Sequence, residues 1–166
     1  MKTLLALAAR IDALNRAVGR GTIWMILAAT VVCALNAVAR KTLDLGSNAL
    51  LELQWYLFAA AFLLAAGDTL RAREHVRIDV VVSRLSPRTQ AALELFGLLV
   101  FLLPVCAVVL RHALPYFVQA FASGEVSGNA GGLVLWPAYA LIPLGFALLA
   151  LQGLSEAIKR LAQLRE

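Results

Sequence analysis

The sequence predicts an all-α membrane protein with four transmembrane helices. Hydrophobic residues make up 61% of the 166 residues and charged residues only 15%, and the mean hydropathy is +0.81. A soluble domain of this size carries about 25% charged residues. Four apolar runs approach the roughly 20 residues that cross a bilayer, and they cover residues 22–38, 50–70, 91–110 and 133–154. Little remains for a soluble domain, so residues 1–166 are interpreted as a single membrane domain.

The first twenty residues have the pattern of a basic amphipathic helix and not of a signal peptide. Arg10 and Asp12 interrupt the short apolar run, which argues against a signal peptide. The apolar residues recur at helical spacing: Leu4, Leu7, Ala8, Ile11, Leu14 and Val18. Such a helix lies in the headgroup plane with its leucines among the acyl chains. Gly19 and Gly21 then predict a turn into the first span.

Turn-forming residues predict the boundaries of the later spans. Ser86 and Pro87 indicate the start of the third helix, because Ser caps helices and Pro needs no N–H at the first position. Residues 123–132 are rich in Gly and Ser and predict a loop. The prolines inside or at the edges of spans, where we expect kinks, are Pro104, Pro137 and Pro143.

The segment EHVRIDVVVSRLSP (74–87) places an acid, a histidine, an arginine and a second acid close together. An isolated β-strand at a membrane would have no partner, whereas the apolar residues also fit one face of a helix. Asp79 near its start can accept free N–H groups, and Arg77 can face anionic headgroups. We therefore interpret the segment as a short cytoplasmic interfacial helix. Docking of His75, Arg77 and Asp79 to another cytoplasmic or membrane surface is the alternative.

The distribution of Lys and Arg predicts that both termini are cytoplasmic. Twelve of the 15 lie in the two termini and in the connection between spans two and three, which four spans place on one side. The more basic side of a membrane protein is the cytoplasmic side. The other side holds Arg40, Lys41 and Arg111. The aromatic residues expected at the outer interface are Trp55, Tyr56, Trp136 and Tyr139.

Few ionisable residues lie inside the spans, where they would be candidates for a transport site. Glu52 either binds a coupling ion or a partner, or pairs with Arg40 or Lys41 at a similar depth. Arg111 and His112 are interpreted as a pair at the outer interface. The small residues of span two predict a close helix–helix contact, and they are Ala59, Ala60, Ala61, Ala65, Ala66 and Gly67.

The sequence shows no catalytic, cofactor-binding or metal-ligating constellation. It lacks a Ser/His/Asp set, a phosphate loop and metal-ligand spacing, and Cys33 and Cys106 lie far apart in apolar runs. A net charge of +5 would suggest nucleic acid in a soluble protein. Here the basic residues flank apolar spans, so anionic lipid headgroups are the expected partner and nucleic acid is not.

Four stretches together resemble the small membrane subunit of tripartite ATP-independent periplasmic (TRAP) transporters, the DctQ-like family. They are ELQWYLF (52–58), FLLAA (62–66), HVRID (75–79) and LWPAYALIPLG (135–145). The order and spacing of these stretches cover most of the chain. The partner or structural candidates on these stretches are Glu52, Trp55, Tyr56, His75, Arg77, Asp79, Trp136, Pro137 and Pro143.

The resemblance implies a role in the bacterial inner membrane. Such systems import carboxylate-bearing solutes by symport with an ion, commonly sodium. A periplasmic binding protein delivers the solute to a large membrane subunit, which holds the ion and substrate sites. The small subunit packs against the large one and widens its fixed scaffold.

Three functional hypotheses follow. The first is a non-catalytic scaffold subunit of such an importer. The second is a self-sufficient small oligomeric transporter or channel that uses Glu52 for ion coupling, which the scarcity of polar residues in the spans disfavours. The third is a membrane-bound enzyme or redox subunit, which the missing ligands and unpaired cysteines disfavour.

Overall fold

The computed structural model describes residues 1–43, 46–72 and 85–165. The described part contains four long helices, which are α1 (Lys2–Thr42), α2 (Asn48–Ala72), α3 (Pro87–Ser123) and α4 (Trp136–Arg165). Each is long and apolar enough to cross a membrane, which confirms the predicted four-helix class. Between α3 and α4, residues 124–135 form a loop with one antiparallel bridge, Val126 to Val134. The predicted interfacial helix after span two lies outside the described residues.

Helix α1 is a single helix of 41 residues, so the turn predicted at Gly19 and Gly21 is wrong. Residues 1–20 continue the first span and do not form a separate element. Gly19 serves a different purpose, because a Cβ at this position would overlap Asp68 on α2. The glycine lets the two helices approach closely, which is how small residues act in membrane helix pairs.

The buried side of α1 repeats every seven residues and is made of small and polar side chains. Its members are Ala8, Asn15, Thr22, Ala29 and Asn36. A seven-residue period is that of a coiled-coil seam. The larger residues of the predicted apolar stripe, such as Leu7 (50% exposed) and Leu14 (47%), face away from the bundle. Small residues therefore contact the neighbouring helices, and leucines cover the outside.

Helix α4 is the centre of the bundle. It packs against α1, α2 and α3, whereas α1 pairs with α2, and α3 lies mainly along α4. A Cβ on Gly145 of α4 would lie 2.8 Å from the Leu63 carbonyl oxygen, and one on Gly67 of α2 would lie 3.2 Å from the Leu148 carbonyl oxygen. The predicted close contact of span two is confirmed at Gly67.

Helix α3 begins as predicted and ends later than predicted. Ser86 is its N-cap, with Oγ accepting a hydrogen bond from the Thr89 N–H at 3.2 Å. A π-helical stretch, Leu98–Leu102, comes shortly before Pro104. Proline crowds the carbonyl four residues before it, and a wider turn relieves this crowding. The helix then passes through Pro115 to Ser123, beyond the predicted end at residue 110.

Candidate functional sites at the two ends of the bundle

The end of the bundle that holds the 124–135 loop, here called the loop end, is organised by Glu52. Its Oε1 accepts hydrogen bonds from the Ser127 hydroxyl and from Asn129 Nδ2 at 2.7 Å. Its Oε2 accepts from the Leu133 N–H at 2.7 Å. Glu52 is only 4% exposed although it lies near the start of a membrane helix. These four residues form the Glu52 clasp, which ties α2 to a segment more than 70 residues away.

Two further contacts from α2 hold the same loop. Asn48 Nδ2 donates to the Ala130 carbonyl at 3.1 Å, and the Tyr56 hydroxyl donates to the Val134 carbonyl at 3.3 Å. Gly131 has a φ of +70°, a backbone conformation that only glycine adopts without strain. The clasp replaces the ion pair with Arg40 or Lys41 that the sequence suggested for Glu52.

The other predicted site residues are distributed over several environments. Trp55 is 66% exposed on the outside of α2. Trp136 begins α4 and packs edge-to-face on Phe121, with ring centroids 5.6 Å apart. Pro137 follows it, and Pro143 is buried inside α4. The candidates that lie outside the described residues are His75, Arg77 and Asp79. The structure thus brings Glu52 and Tyr56 to one loop, and Trp136 and Pro137 directly follow that loop.

At the opposite end, which holds both termini, polar side chains connect α1 to α4. Gln152 Nε2 donates to Asp12 Oδ1 at 2.8 Å, and Gln152 Oε1 accepts from Asn15 Nδ2 at 3.0 Å. Ser155 Oγ lies within hydrogen-bond distance of the Ala8 carbonyl oxygen, 3.2 Å, and of Asp12 Oδ1, 2.7 Å. Asn15, Gln152 and Ser155 are fully buried.

Ion pairs extend this connection to α3. Lys159 Nζ lies 2.9 Å from Asp12 Oδ2 and also pairs with Glu156. Arg160, which is 4% exposed, pairs with Glu94 of α3, and its second nitrogen lies 3.7 Å from Glu156. Buried charges need such partners. We call this set the terminal network, and its members are Asp12, Asn15, Glu94, Gln152, Ser155, Glu156, Lys159 and Arg160.

Asn15 also explains why glycine stands at position 67. A Cβ on Gly67 would overlap Asn15 Oδ1, so the amide oxygen lies directly against the α2 backbone. This oxygen makes no conventional hydrogen bond within the described part of the chain. A Cα–H group opposite a carbonyl-type oxygen gives a weak contact. Asn15 therefore joins three helices at one level.

Sequence reasoning missed the terminal network, although a signal was present. Polar residues recur on α4 at steps of three and four, as Gln152, Ser155, Glu156, Lys159 and Arg160. This period places them on one helical face. The predicted span ends at residue 154, so Lys159 and Arg160 are interpreted from the sequence only as basic residues of the cytoplasmic C-terminal segment.

The arrangement suits helix association better than chemistry. Among the described residues, no group of three or more His, Cys, Asp or Glu side chains could hold a metal ion. An apolar depression of about 650 Å³ is an open groove between α1 and α2, lined by Ile26, Cys33, Trp55 and Phe58 among others. At each end of the bundle, the polar side chains form hydrogen bonds or ion pairs with groups at that same end.

Comparison with known proteins gives one family. The model of the DctQ component of tripartite ATP-independent periplasmic transporters matches residues 29–163. The matched range includes the loop end, α2, α3 and nearly all of α4, and it begins inside α1. A search of curated proteins and a search of solved structures each gave no match.

Proposed function

The chain belongs to the DctQ family of small membrane components of TRAP transporters, and we propose that it is the scaffold subunit of a solute importer. The family works with a large DctM subunit and a periplasmic binding protein. In this proposal the chain packs against the large subunit, which binds ion and solute. Import is driven by an ion gradient, commonly sodium, and the solute has a carboxylate.

The observation that supports a scaffold is that the interior carboxylates Glu52, Asp12 and Glu156 already have partners within the chain. Glu52 is bonded by three donors of the 124–135 loop, and Asp12 and Glu156 are bonded within the terminal network. Carboxylates inside the membrane commonly mark the ion or substrate pathway of a carrier, where they have to be available to bind an ion. Here these groups hold helices and a loop together.

Membership of the family and four apolar helices indicate a multi-pass protein of the inner membrane. We propose that both termini face the cytoplasm, because Lys and Arg are concentrated on the terminal side of the spans. The loop end then faces the periplasm. A single cysteine at Arg165, in a chain without Cys33 and Cys106, should react with a membrane-impermeant thiol reagent only after the cells are opened.

Reconstitution tests the scaffold role. Proteoliposomes should take up solute only when they contain this chain and the large subunit, with the binding protein and an ion gradient supplied. Omission of this chain should abolish or strongly reduce uptake. Vesicles that contain this chain alone should take up nothing. Gradient-driven uptake by the chain alone would disprove the scaffold role and support the self-sufficient transporter.

A further inference from the structure

Arg111 lies inside α3, about two thirds of the way along it, and not at the end of the helix. The helix continues for twelve residues beyond it, to Ser123, and most of them are apolar. This corrects the sequence interpretation of Arg111 and His112 as a pair at the outer end of span three. Both side chains are exposed on the outside of the bundle.

Two contacts with α4 give the depth of Arg111. Below it, Leu102 lies against Gly153, where an added Cβ would be 2.6 Å from Leu102 Cδ2. Above it, Phe121 packs on Trp136. At 1.5 Å per residue, Arg111 is about 14 Å from either contact. The part of α4 between these contacts contains no charged residue, so the guanidinium lies beside the apolar section of the central helix.

A charged side chain at this depth normally faces the interior of a bundle or pairs with another group, because exposure to lipid is costly. Arg111 does neither: within the described residues it has no hydrogen bond or ion pair, and its side chain faces outwards. The outward surfaces of the other helices differ. Residues 21–39, 53–67 and 136–155 contain no Asp, Glu, Lys or Arg at all, so those surfaces suit lipid.

A second feature of the same surface is Pro115. It stands four residues after Arg111 and has no N–H, so it cannot donate the usual helical bond to the Arg111 carbonyl. In a membrane, a carbonyl freed in this way is satisfied by neighbouring groups. A guanidinium and a freed carbonyl therefore lie at one level of α3.

We propose that the side of α3 centred on Arg111 is the surface that meets the large membrane subunit, through a transmembrane helix that presents a carboxylate to the guanidinium. We call it the Arg111 face, and it consists of Pro104, Val108, Arg111, Leu114 and Val118, all exposed. The proposal rests on the scaffold role. The exposed guanidinium argues for a protein partner that supplies a carboxylate, since acyl chains offer Arg111 no acceptor.

Crosslinking distinguishes this surface from the rest of the bundle. A photo-crosslinking amino acid is placed at Val108 or Leu114, and as matched controls at Ile26 or Phe58 on the α1–α2 surface, which are similarly exposed. Illumination of membranes that contain both subunits should join the large subunit to positions 108 and 114 only. Products from positions 26 and 58 alone, or only lipid adducts from 108 and 114, would overturn the proposal. Failure of the unmodified chain to co-purify with the large subunit would instead disprove the scaffold role.

Charge reversal tests the pairing. Arg111→Glu should reduce recovery of the large subunit on the tagged chain by roughly tenfold, since a desolvated charge pair becomes a like-charge contact. Arg111→Lys should retain part of the recovery. Arg40→Glu, an equal change at the end of α1, should have no effect. If Arg111→Glu lowers the yield of the chain itself, Arg111→Gln provides the readout. Normal recovery of the large subunit with Arg111→Gln or Arg111→Glu would contradict a carboxylate partner.

Discussion

The two ends of the bundle use buried polar groups in different ways. At the terminal end, eight side chains on three helices bond one another, with Asp12 of α1 and Glu94 of α3 both paired to cations of α4. At the loop end, a single carboxylate on α2 binds one loop. The arrangement at the terminal end joins helices to one another, and the arrangement at the loop end joins one helix to the 124–135 loop. Disrupting the first should therefore weaken the whole bundle, and disrupting the second should release only the loop.

This difference can be measured with two readouts. The free energy of unfolding, from titration with denaturing detergent, reports on the helix bundle. Hydrogen exchange of the amides in residues 124–135 reports on the loop, because local opening can occur well below the free energy of global unfolding. A terminal-end variant should change mainly the first quantity and a loop-end variant mainly the second.

The largest effect is expected for Arg160→Leu. Removal of one partner of a buried ion pair costs about 3 kcal/mol, because the remaining carboxylates are left without their counter-charge. Arg160 is 4% exposed and pairs with both Glu94 and Glu156. The free energy of unfolding should fall by about that amount, while exchange in residues 124–135 stays unchanged.

Arg165→Leu is the control for this variant. It makes the same chemical change at the exposed end of the same helix, and surface substitutions are usually within about 0.5 kcal/mol of neutral. If Arg160→Leu and Arg165→Leu gave equal unfolding free energies, the terminal network would not be what joins α3 to α4.

The sequence predicts those features of the two ends that depend on neighbouring residues, and it does not predict contacts between residues that are far apart in the chain. Four apolar runs, the Ser86–Pro87 helix start and the close contact at Gly67 depend on local pattern, and the structure confirms them. The partners of Glu52 lie 75 to 81 residues away, so local pattern could not identify them. The sequence indicates only that Arg40 and Lys41 lie at a similar depth to Glu52, which is why it predicts them as partners.

Two errors had a common physical cause. From the sequence, Gly19 and Gly21 indicate a turn, and Arg111 and His112 indicate a pair at the outer interface, because glycine and charge usually interrupt apolar helices. In the folded chain both lie inside long helices. Gly19 gives room for Asp68, and Arg111 projects outwards where the sequence cannot show what it meets. Residues that are unfavourable locally are kept where tertiary contact or a partner requires them.

The second prediction concerns the loop end. Glu52→Gln keeps the size of the side chain but replaces one acceptor oxygen by a donor NH₂ group, opposite groups that also donate. At least one hydrogen bond of the Glu52 clasp is lost, so amide exchange in residues 124–135 should rise by roughly tenfold. The free energy of unfolding should change little. In reconstituted vesicles, uptake should continue, because the scaffold role gives Glu52 no part in ion coupling.

Glu125→Gln provides the control, since this glutamate is exposed on the same loop, and it should change neither exchange nor uptake. Loss of uptake in Glu52→Gln, with the complex intact and the loop protected as in the unmodified chain, would argue for the ion-coupled alternative. Equal loop exchange in both variants would show that the clasp does not hold the loop.

The smallest effect is expected for Ser155→Ala. This variant tests whether the hydrogen bonds of the terminal network contribute independently to the free energy of unfolding. Ser155 is fully buried and bonds α1 through either Asp12 or the Ala8 carbonyl. Loss of one hydrogen bond to a charged carboxylate costs about 1.5 kcal/mol. Asp12 keeps Gln152 and Lys159 as donors, so its carboxylate remains satisfied and the loss should stay near that value. Ser123→Ala is the control: this side chain is at an exposed helix end, where water can replace its contacts to Ala120 and Glu125, so the free energy of unfolding should change by no more than about 0.5 kcal/mol. A loss as large as that of Arg160→Leu would mean that the network acts as one cooperative unit, and the contrast between a distributed terminal end and a loop end organised by one carboxylate would then be wrong.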